Sequence, residues 1–257
     1  MAESPILLVD AGNSRLTIAR LDSGEITERC DLVRAAVTPG AVVQAVESIG
    51  GATGALLASV VPELTPMLVD TLTVCLSAPP HLVSRHSPHG LILDVPHPSQ
   101  AGADRIATAV GALAHVAPPV VVVDCGTATT CTLIDRGDDG PRYRGGAIAA
   151  GVETALAGLR HRAPHLPEPA DEVEIPGTTT ETALTLGGIG GHAWLVDALV
   201  ARLAAVASGG KAELVITGGC APRILPHLAT RHTYRPDLCL EGLAVVAERL
   251  ADGDARR

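Results

Sequence analysis

Two copies of one short motif carry the residues best suited to phosphate chemistry. Asp10 and Asp124 each end an apolar, strand-like run, and Gly12 and Gly126 each follow two residues later. Glycine lets the backbone approach an anion closely, and free N–H groups in such a turn donate hydrogen bonds to it. A carboxylate at the same place suits a cation rather than the phosphate itself. The repeat therefore predicts two phosphate-facing turns, in two related halves that close on a nucleotide.

A separate pair of oppositely charged residues, Asp104 and Arg105, lies in the segment Gly102-Ala103-Asp104-Arg105. This segment begins an apolar helix predicted over 103–116. A kinase needs a base for the acceptor hydroxyl and a cation for an anionic acceptor, and Asp104 and Arg105 could supply both. The alternative is a charged helix start with a surface ion pair. The long loop 84–100 just before the helix favours the functional interpretation.

Other nucleotide motifs are missing or weak. A Walker A loop needs a lysine followed by Ser or Thr, but the only lysine, Lys211, precedes Ala212. The turn Thr217-Gly218-Gly219 follows a predicted strand and could lie against a purine or ribose. Taken alone it is an ordinary strand-to-helix turn; beside the two Asp-x-Gly turns, a ligand contact is the better interpretation.

The elements that must position these residues form two halves of similar order. Each half is predicted as three strands followed by a helix, which indicates a duplicated α/β chain rather than a simple Rossmann alternation. We place the lobes at residues 1–117 and 118–257. We also expect a helical region over 182–206 that is broken at glycines 187–191, and a short helix at 224–229.

The composition limits the class of protein. The net charge is −9, aromatic residues make up 1% and Phe is absent, which argues against nucleic acid binding. No apolar stretch was expected to approach the roughly 20 residues that span a bilayer, and no signal peptide is evident, so a soluble cytoplasmic protein with no membrane partner is expected. The six cysteines form no CxxC pair and are expected to be reduced. The histidines are expected to be mostly solvated loop residues.

The ordered motifs resemble those of the type III pantothenate kinases. Asp10-Ala11-Gly12-Asn13-Ser14 is similar to the family's first phosphate motif, Asp124-Cys125-Gly126-Thr127-Ala128-Thr129-Thr130 to its second, and Gly102-Ala103-Asp104-Arg105 to its substrate motif. Further matches follow in order along the chain: Ala58-Ser59-Val60-Val61-Pro62, Gly145-Gly146-Ala147-Ile148, Leu166-Pro167, Thr217-Gly218-Gly219 and Glu241-Gly242-Leu243.

The resemblance implies an α/β fold of the actin/hexokinase/Hsp70 (ASKHA) type, with two ribonuclease-H-like lobes. It implies that ATP phosphorylates pantothenate in the first step of coenzyme A biosynthesis, with Mg²⁺ and a monovalent cation (K⁺ or NH₄⁺). A homodimer is implied, with pantothenate near the subunit interface.

The resemblance also assigns roles to individual residues. Asp104 would be the general base, and Arg105 would hold the pantothenate carboxylate. Asp10 would lie near Mg²⁺, and Asp124 would bind the monovalent cation. The ATP-binding set is Asp10, Ala11, Gly12, Asn13, Ser14, Arg15, Leu16, Thr17 and Thr127, and the substrate-binding set is Gly102, Ala103, Asp104, Arg105 and Thr180.

Two alternatives remain open at this point. Val95 stands where the family usually has Tyr, which motivates a catalytically weak or silent relative that binds nucleotide or pantothenate as a regulatory protein. A sugar kinase or a phosphatase of the same fold is the other possibility, although the Gly102–Arg105 motif weighs against it.

Overall fold

The computed structural model describes residues 4–254, which form two compact units. The first unit contains the residues up to His115 together with those from Leu238 onwards, and the second is Val116–Asp237. Each unit is built around one sheet, with its hydrophobic core between the sheet and its helices.

The sheet of the first unit has the strand order β3-β2-β1-β4-β5. Strands β1 and β2 form an antiparallel hairpin, β3 pairs antiparallel with β2, and β4 pairs parallel with β1. The parallel β1–β4 pair aligns Asp10 with Ala58. The strands are β1 (Ile6–Ala11), β2 (Arg15–Asp22), β3 (Glu25–Val33), β4 (Gly54–Ser59) and β5 (His81–Leu82).

Three helices of the first unit arise from clear local signals. Thr38 caps α1 (Pro39–Ser48) by accepting a hydrogen bond from Ala41 N, and a proline stands in the first turn of α1 and of α2 (Thr65–Leu76). One face of each helix is buried against β1, β2 and β4, through Val42, Ala45 and Val46 of α1 and Leu68, Leu72 and Leu76 of α2. Helix α3 (Ala103–Leu113) is buried on all sides from Ile106 to Ala112. The loop before α3 contains the two-residue strand β6 (Ile92–Leu93) and a 3₁₀ turn at Pro98–Gln100.

The second unit repeats this strand arrangement. Its order β11-β10-β7-β8-β9 mirrors β5-β4-β1-β2-β3, with the same antiparallel hairpin and the same parallel pairs. The predicted duplication is therefore confirmed. The strands are β7 (Val120–Cys125), β8 (Ala128–Asp135), β9 (Arg142–Ala150), β10 (Glu213–Thr217) and β11 (Thr233–Tyr234).

The helices of the second unit differ from the prediction at two places. Helices α5 (Thr180–Thr185) and α6 (Gly191–Val206) are joined by a π-helical turn at Leu186–Gly190, so the glycines widen the helix rather than break it. The helix expected at 224–229 begins and ends earlier, as α7 (Ala221–Ile224), and a 3₁₀ turn at Leu225–His227 follows it. Helix α4 (Val152–Arg162) follows β9 as expected.

The helical run Thr180–Val206 is 27 residues long and apolar enough to cross a membrane. We had expected no apolar stretch of that length, and this expectation was wrong. A single such helix is weak evidence of a membrane span, because the core helix of a soluble protein has the same properties. Ala193, Val196 and Val200 of this run are buried in the hydrophobic core of the second unit.

The C-terminal helix α8 (Leu238–Asp254) belongs to the first unit, whereas we had placed residues 118–257 together. Helix α8 packs on α3, β1 and β4. The crossing with α3 is close because glycines face it from both helices. A Cβ atom at Gly242 would overlap the Ala107 carbonyl, and one at Gly111 would overlap the Leu238 carbonyl. This helix crossing brings the start of α8 to the end of β1.

Candidate active site

The first Asp-x-Gly motif forms the tight turn of the β1–β2 hairpin. Gly12 N donates a hydrogen bond to the Arg15 carbonyl at 2.9 Å, and this bond closes the turn. Asn13, Ser14 and Arg15 are exposed at its tip. The tip of this turn therefore lies at the surface, and its contact with phosphate stays a prediction.

Asp10 stands at the end of β1, half-buried, in an electrostatically unusual position. Burial raises the pKa of its carboxyl group to about 6, and the negative charge of Asp104 adds to the shift. The Cys239 thiol, in the first turn of α8, donates a hydrogen bond to this carboxylate and opposes the shift. Two carboxylates that repel one another create a local demand for a cation.

Three of the predicted phosphate-binding residues present no free side chain. Ala11 and Leu16 are fully buried in the core of the first unit. The Thr17 hydroxyl is buried and donates a hydrogen bond to Asp31 Oδ1 at 2.6 Å. These three residues shape the hairpin, and only their main-chain atoms could meet a ligand.

Asp104 lies in the first turn of α3 and is half-buried. Burial raises the pKa of its carboxyl group, although the Arg105 N–H, which donates to Asp104 Oδ1 at 2.7 Å, and the Arg105 charge partly oppose this. A raised pKa makes a carboxylate a better proton acceptor near neutral pH. Gly102 is needed beside it, because a Cβ atom at this position would meet Asp104 Oδ1 at 2.5 Å.

The main chain before Asp104 lines a cavity of about 440 Å³ in the first unit. Gly102 and Ala103 form one side of it, and the Ser84–His86 turn forms another. Arg105 lies next to this region, where its guanidinium donates a hydrogen bond to the Gln100 carbonyl at 2.7 Å. The volume suits a small organic acceptor.

The second Asp-x-Gly motif forms the corresponding hairpin turn of the second unit. Gly126 N donates to the Ala128 carbonyl at 3.0 Å, and Thr127 is exposed at the tip. The half-buried Asp124 lies against Gly218, where φ is +96° and a Cβ atom would meet Asp124 Oδ1. The predicted Gly218 turn and the second motif thus belong to one structural unit.

Thr180 is exposed at the start of α5 in the second unit. The preceding residue, Thr179, caps that helix reciprocally with Thr182, which leaves the Thr180 side chain outside the capping box.

The sequence did not predict a buried pair behind the second motif: Thr129 Oγ1 lies 2.8 Å from His192 Nε2 on α6. Burial lowers the pKa of His192, so its ring is neutral.

Comparison with known proteins agrees with this arrangement. Residues 6–202 match the family model for type III pantothenate kinase. The type III pantothenate kinase of Thermomicrobium roseum is 33% identical over 95% of this chain and 97% of its own, and that of Akkermansia muciniphila is 37% identical over 74% and 78%.

The chain belongs to the type III pantothenate kinase family.

Solved structures confirm the fold expected for this family member. A Baf family protein of Campylobacter jejuni has a TM-score of 0.64 at 18% identity, covering 96% of this chain and 99% of its own. A ROK family protein of Streptococcus pneumoniae has a TM-score of 0.53 at 11% identity, covering 96% and 99%. The predicted ASKHA fold, with its duplicated lobes, is therefore confirmed. The match to the family model and its relatives confirms the predicted enzyme class.

The carboxylates of this kinase bear on where a divalent metal could bind. Within residues 4–254, no group of three or more His, Cys, Asp and Glu side chains is placed to hold a metal ion. Magnesium does not need such a group, because it keeps several waters and commonly binds one or two carboxylates together with substrate phosphates. Asp10, a carboxylate next to a second negative charge, fits that requirement.

Proposed function

We propose that this kinase transfers the γ-phosphoryl group of ATP to the primary hydroxyl of pantothenate, with Asp104 as the general base. The product is 4'-phosphopantothenate, and the reaction is the first step of coenzyme A biosynthesis. The observation that carries the proposal is the position of Asp104. Its carboxyl group has a raised pKa, it interacts electrostatically with Asp10, and the preceding Gly102 and Ala103 line the cavity.

In the reaction, Asp104 accepts the proton of the pantothenate hydroxyl as the oxygen attacks the γ-phosphorus. The bond between that phosphorus and the β,γ-bridging oxygen breaks, and ADP leaves with the electron pair. Such a transfer depends on positioning and charge neutralisation more than on covalent chemistry. Arg105 holds the pantothenate carboxylate by a charge-assisted hydrogen bond. The main chain of Gly102 and Ala103 lies beside the acceptor.

The first hairpin turn holds the ATP phosphates. The exposed Asn13, Ser14 and Arg15 and the turn N–H groups donate to the phosphate oxygens, and the buried Ala11, Leu16 and Thr17 keep the turn in shape. Asp10 would hold Mg²⁺. When bound, this ion neutralises charge on the β- and γ-phosphates.

Asp124 is proposed to bind a monovalent cation, K⁺ or NH₄⁺, and Thr127 is proposed to contact ATP. The half-buried carboxylate of Asp124, held against the Gly218 turn, supports this role. Thr180 is proposed to contact pantothenate. We also propose that the kinase acts as a homodimer in the cytoplasm. Reduced thiols are expected there, and none of the six cysteines, all within residues 4–254, forms a disulfide.

Turnover with pantothenate tests the function. ADP release with ATP, Mg²⁺ and K⁺ should require pantothenate, and the Asp104→Asn variant should lose it while keeping its fold. Binding of pantothenate without turnover would favour the silent regulatory relative, which no finding supports so far. A substrate panel that included hexoses would separate a sugar kinase from a pantothenate kinase.

A further inference from the structure

One part of the cavity wall, formed by residues 84–86, contains an arginine, Arg85. Arg85 and His86 line the cavity there, together with Ser84. Much of the remaining lining is apolar, contributed by residues such as Val60, Val83 and Pro98. The sequence motifs assigned no role to Arg85.

A buried polar network holds this wall in place. Ser87 Oγ accepts a hydrogen bond from Ser84 N at 3.1 Å and lies 3.0 Å from His81 Nε2, while Ser87 N donates to the Ser84 carbonyl at 3.0 Å. Ser87 and His89 are both buried, although the turn between Ser84 and His86 is exposed. Buried polar groups are costly unless they are satisfied, and a satisfied network fixes one conformation.

His89 fixes the backbone of Arg85 itself. His89 Nδ1 accepts a hydrogen bond from Leu91 N at 3.0 Å, so the neutral ring carries its proton on Nε2 and donates it to the Arg85 carbonyl at 3.2 Å. Arg249, on α8, donates to the His89 carbonyl from the other side. The neighbouring Gly90 has a φ of +73°, which suits glycine. The main chain of the turn that carries Arg85 is therefore fixed by several hydrogen bonds.

We propose that Arg85 is a specificity-determining residue that attracts the carboxylate end of the acceptor into the cavity, with His89 as its positioning residue. This inference rests on the proposed function, because it assumes that the cavity takes pantothenate. Its physical basis is that an arginine among the residues lining this cavity favours an anionic acceptor over a neutral one of similar shape. Arg105, two residues after Ala103, would then be one of two cations that recognise the acceptor.

The test compares pantothenate with pantothenol, in which a hydroxymethyl group replaces the carboxylate and the acceptor hydroxyl is retained. Steady-state kinetics should be measured for the wild type, Arg85→Gln, Arg85→Lys and the matched control Arg202→Gln. Arg202 is an exposed arginine on α6 outside the cavity lining.

We expect Arg85→Gln to raise the KM for pantothenate about five- to tenfold, with little change in kcat and in the KM for pantothenol. Arg85→Lys should recover part of the loss, and Arg202→Gln should behave like the wild type. The inference would be overturned if Arg85→Gln and Arg202→Gln changed the KM for pantothenate equally. It would also be overturned if Arg85→Gln raised the KM for pantothenate and for pantothenol by the same factor. A wild type without pantothenate turnover would refute the proposed function itself, and the inference with it.

A double-mutant cycle tests the positioning role of His89. His89→Ala should raise the KM for pantothenate in the wild type but add almost nothing in the Arg85→Gln background, because it acts through Arg85. Melting temperatures of the four proteins show whether each is folded. Independent, multiplicative effects of the two substitutions in folded proteins would contradict the positioning role.

Discussion

Replacing Asp10 with Asn should stabilise the protein while it removes catalysis. The pKa of the Asp10 carboxyl is raised from 3.8 to about 6 in the folded state, so ionised Asp10 opposes folding at neutral pH. The difference between a pKa of 3.8 and one of about 6 corresponds to roughly 3 kcal/mol. Because the side chain is only half-buried, solvent screens part of this energy, and we expect a gain of about 1–2 kcal/mol for Asp10→Asn at pH 7.5. That gain equals a rise of about 2–8 °C in Tm for a chain of this size.

The pH dependence of this gain has a definite sign. Above pH 6 Asp10 is ionised in both the folded and unfolded states, and its penalty is fully present. Between pH 6 and 3.8 the folded state keeps its proton while the unfolded state loses it, so the penalty shrinks as the pH falls. It should be about half as large at pH 5 as at pH 7.5 and absent well below pH 3.8. The stabilisation by Asp10→Asn should follow the same course.

Thermal unfolding without ligands, at pH 7.5 and at pH 5, measures this effect. Asp70→Asn is the matched control, because Asp70 is exposed on α2 in the same unit, and it should not change the Tm. Millimolar Mg²⁺ with ATP should stabilise the wild type more than Asp10→Asn. The reasoning would be refuted if Asp10→Asn had a lower Tm than the wild type at pH 7.5, or if it stabilised the protein equally at both pH values.

Four further substitutions test other parts of the account. Asp104→Asn should lower kcat by a factor of about 10² to 10⁴ without lowering the Tm, and kcat within threefold of the wild type would contradict its role as base. Gly242→Ala should lower the free energy of unfolding by about 2 kcal/mol or more in urea titration, because the new Cβ atom overlaps the Ala107 carbonyl; no loss would contradict the close α3–α8 crossing. Cys239→Ala should lower kcat several-fold at limiting Mg²⁺ and Cys239→Ser should restore it, since the serine hydroxyl can also donate to Asp10; an equal loss in both variants would argue against that hydrogen bond. Asp124→Asn should abolish the dependence of turnover on K⁺, and retained K⁺ activation would place the monovalent site elsewhere.

The sequence predicted the two hairpins because the residues that specify each hairpin are neighbours along the chain. An apolar run, a carboxylate and a glycine turn specify a strand that reverses, and Asp10 and Asp124 occupy the expected positions at the ends of β1 and β7. The position of Asp104 in the first turn of α3 was predicted equally well, since the Gly102 start and the apolar run after it define this helix.

The parts that the sequence did not predict depend on contacts between distant residues. The position of α8 follows from the meeting of Gly111 with Gly242, and the Glu241-Gly242-Leu243 match does not say which helix Gly242 contacts. The link from Cys239 to Asp10 is a consequence of that crossing. His89 was expected to be a solvated loop residue, but it is buried and holds the Arg85 turn, a role that is visible only when its partners are placed.

The central claim is that Asp104 acts as the general base in the phosphorylation of pantothenate. Identifying the product tests this claim most directly. Purified protein with ATP, Mg²⁺, K⁺ and pantothenate should yield one 4'-phosphopantothenate for each ADP, as measured by mass spectrometry and a coupled ADP assay, and folded Asp104→Asn should yield almost none. ADP release without a phosphorylated pantothenate, or equal product from the wild type and Asp104→Asn, would contradict the account.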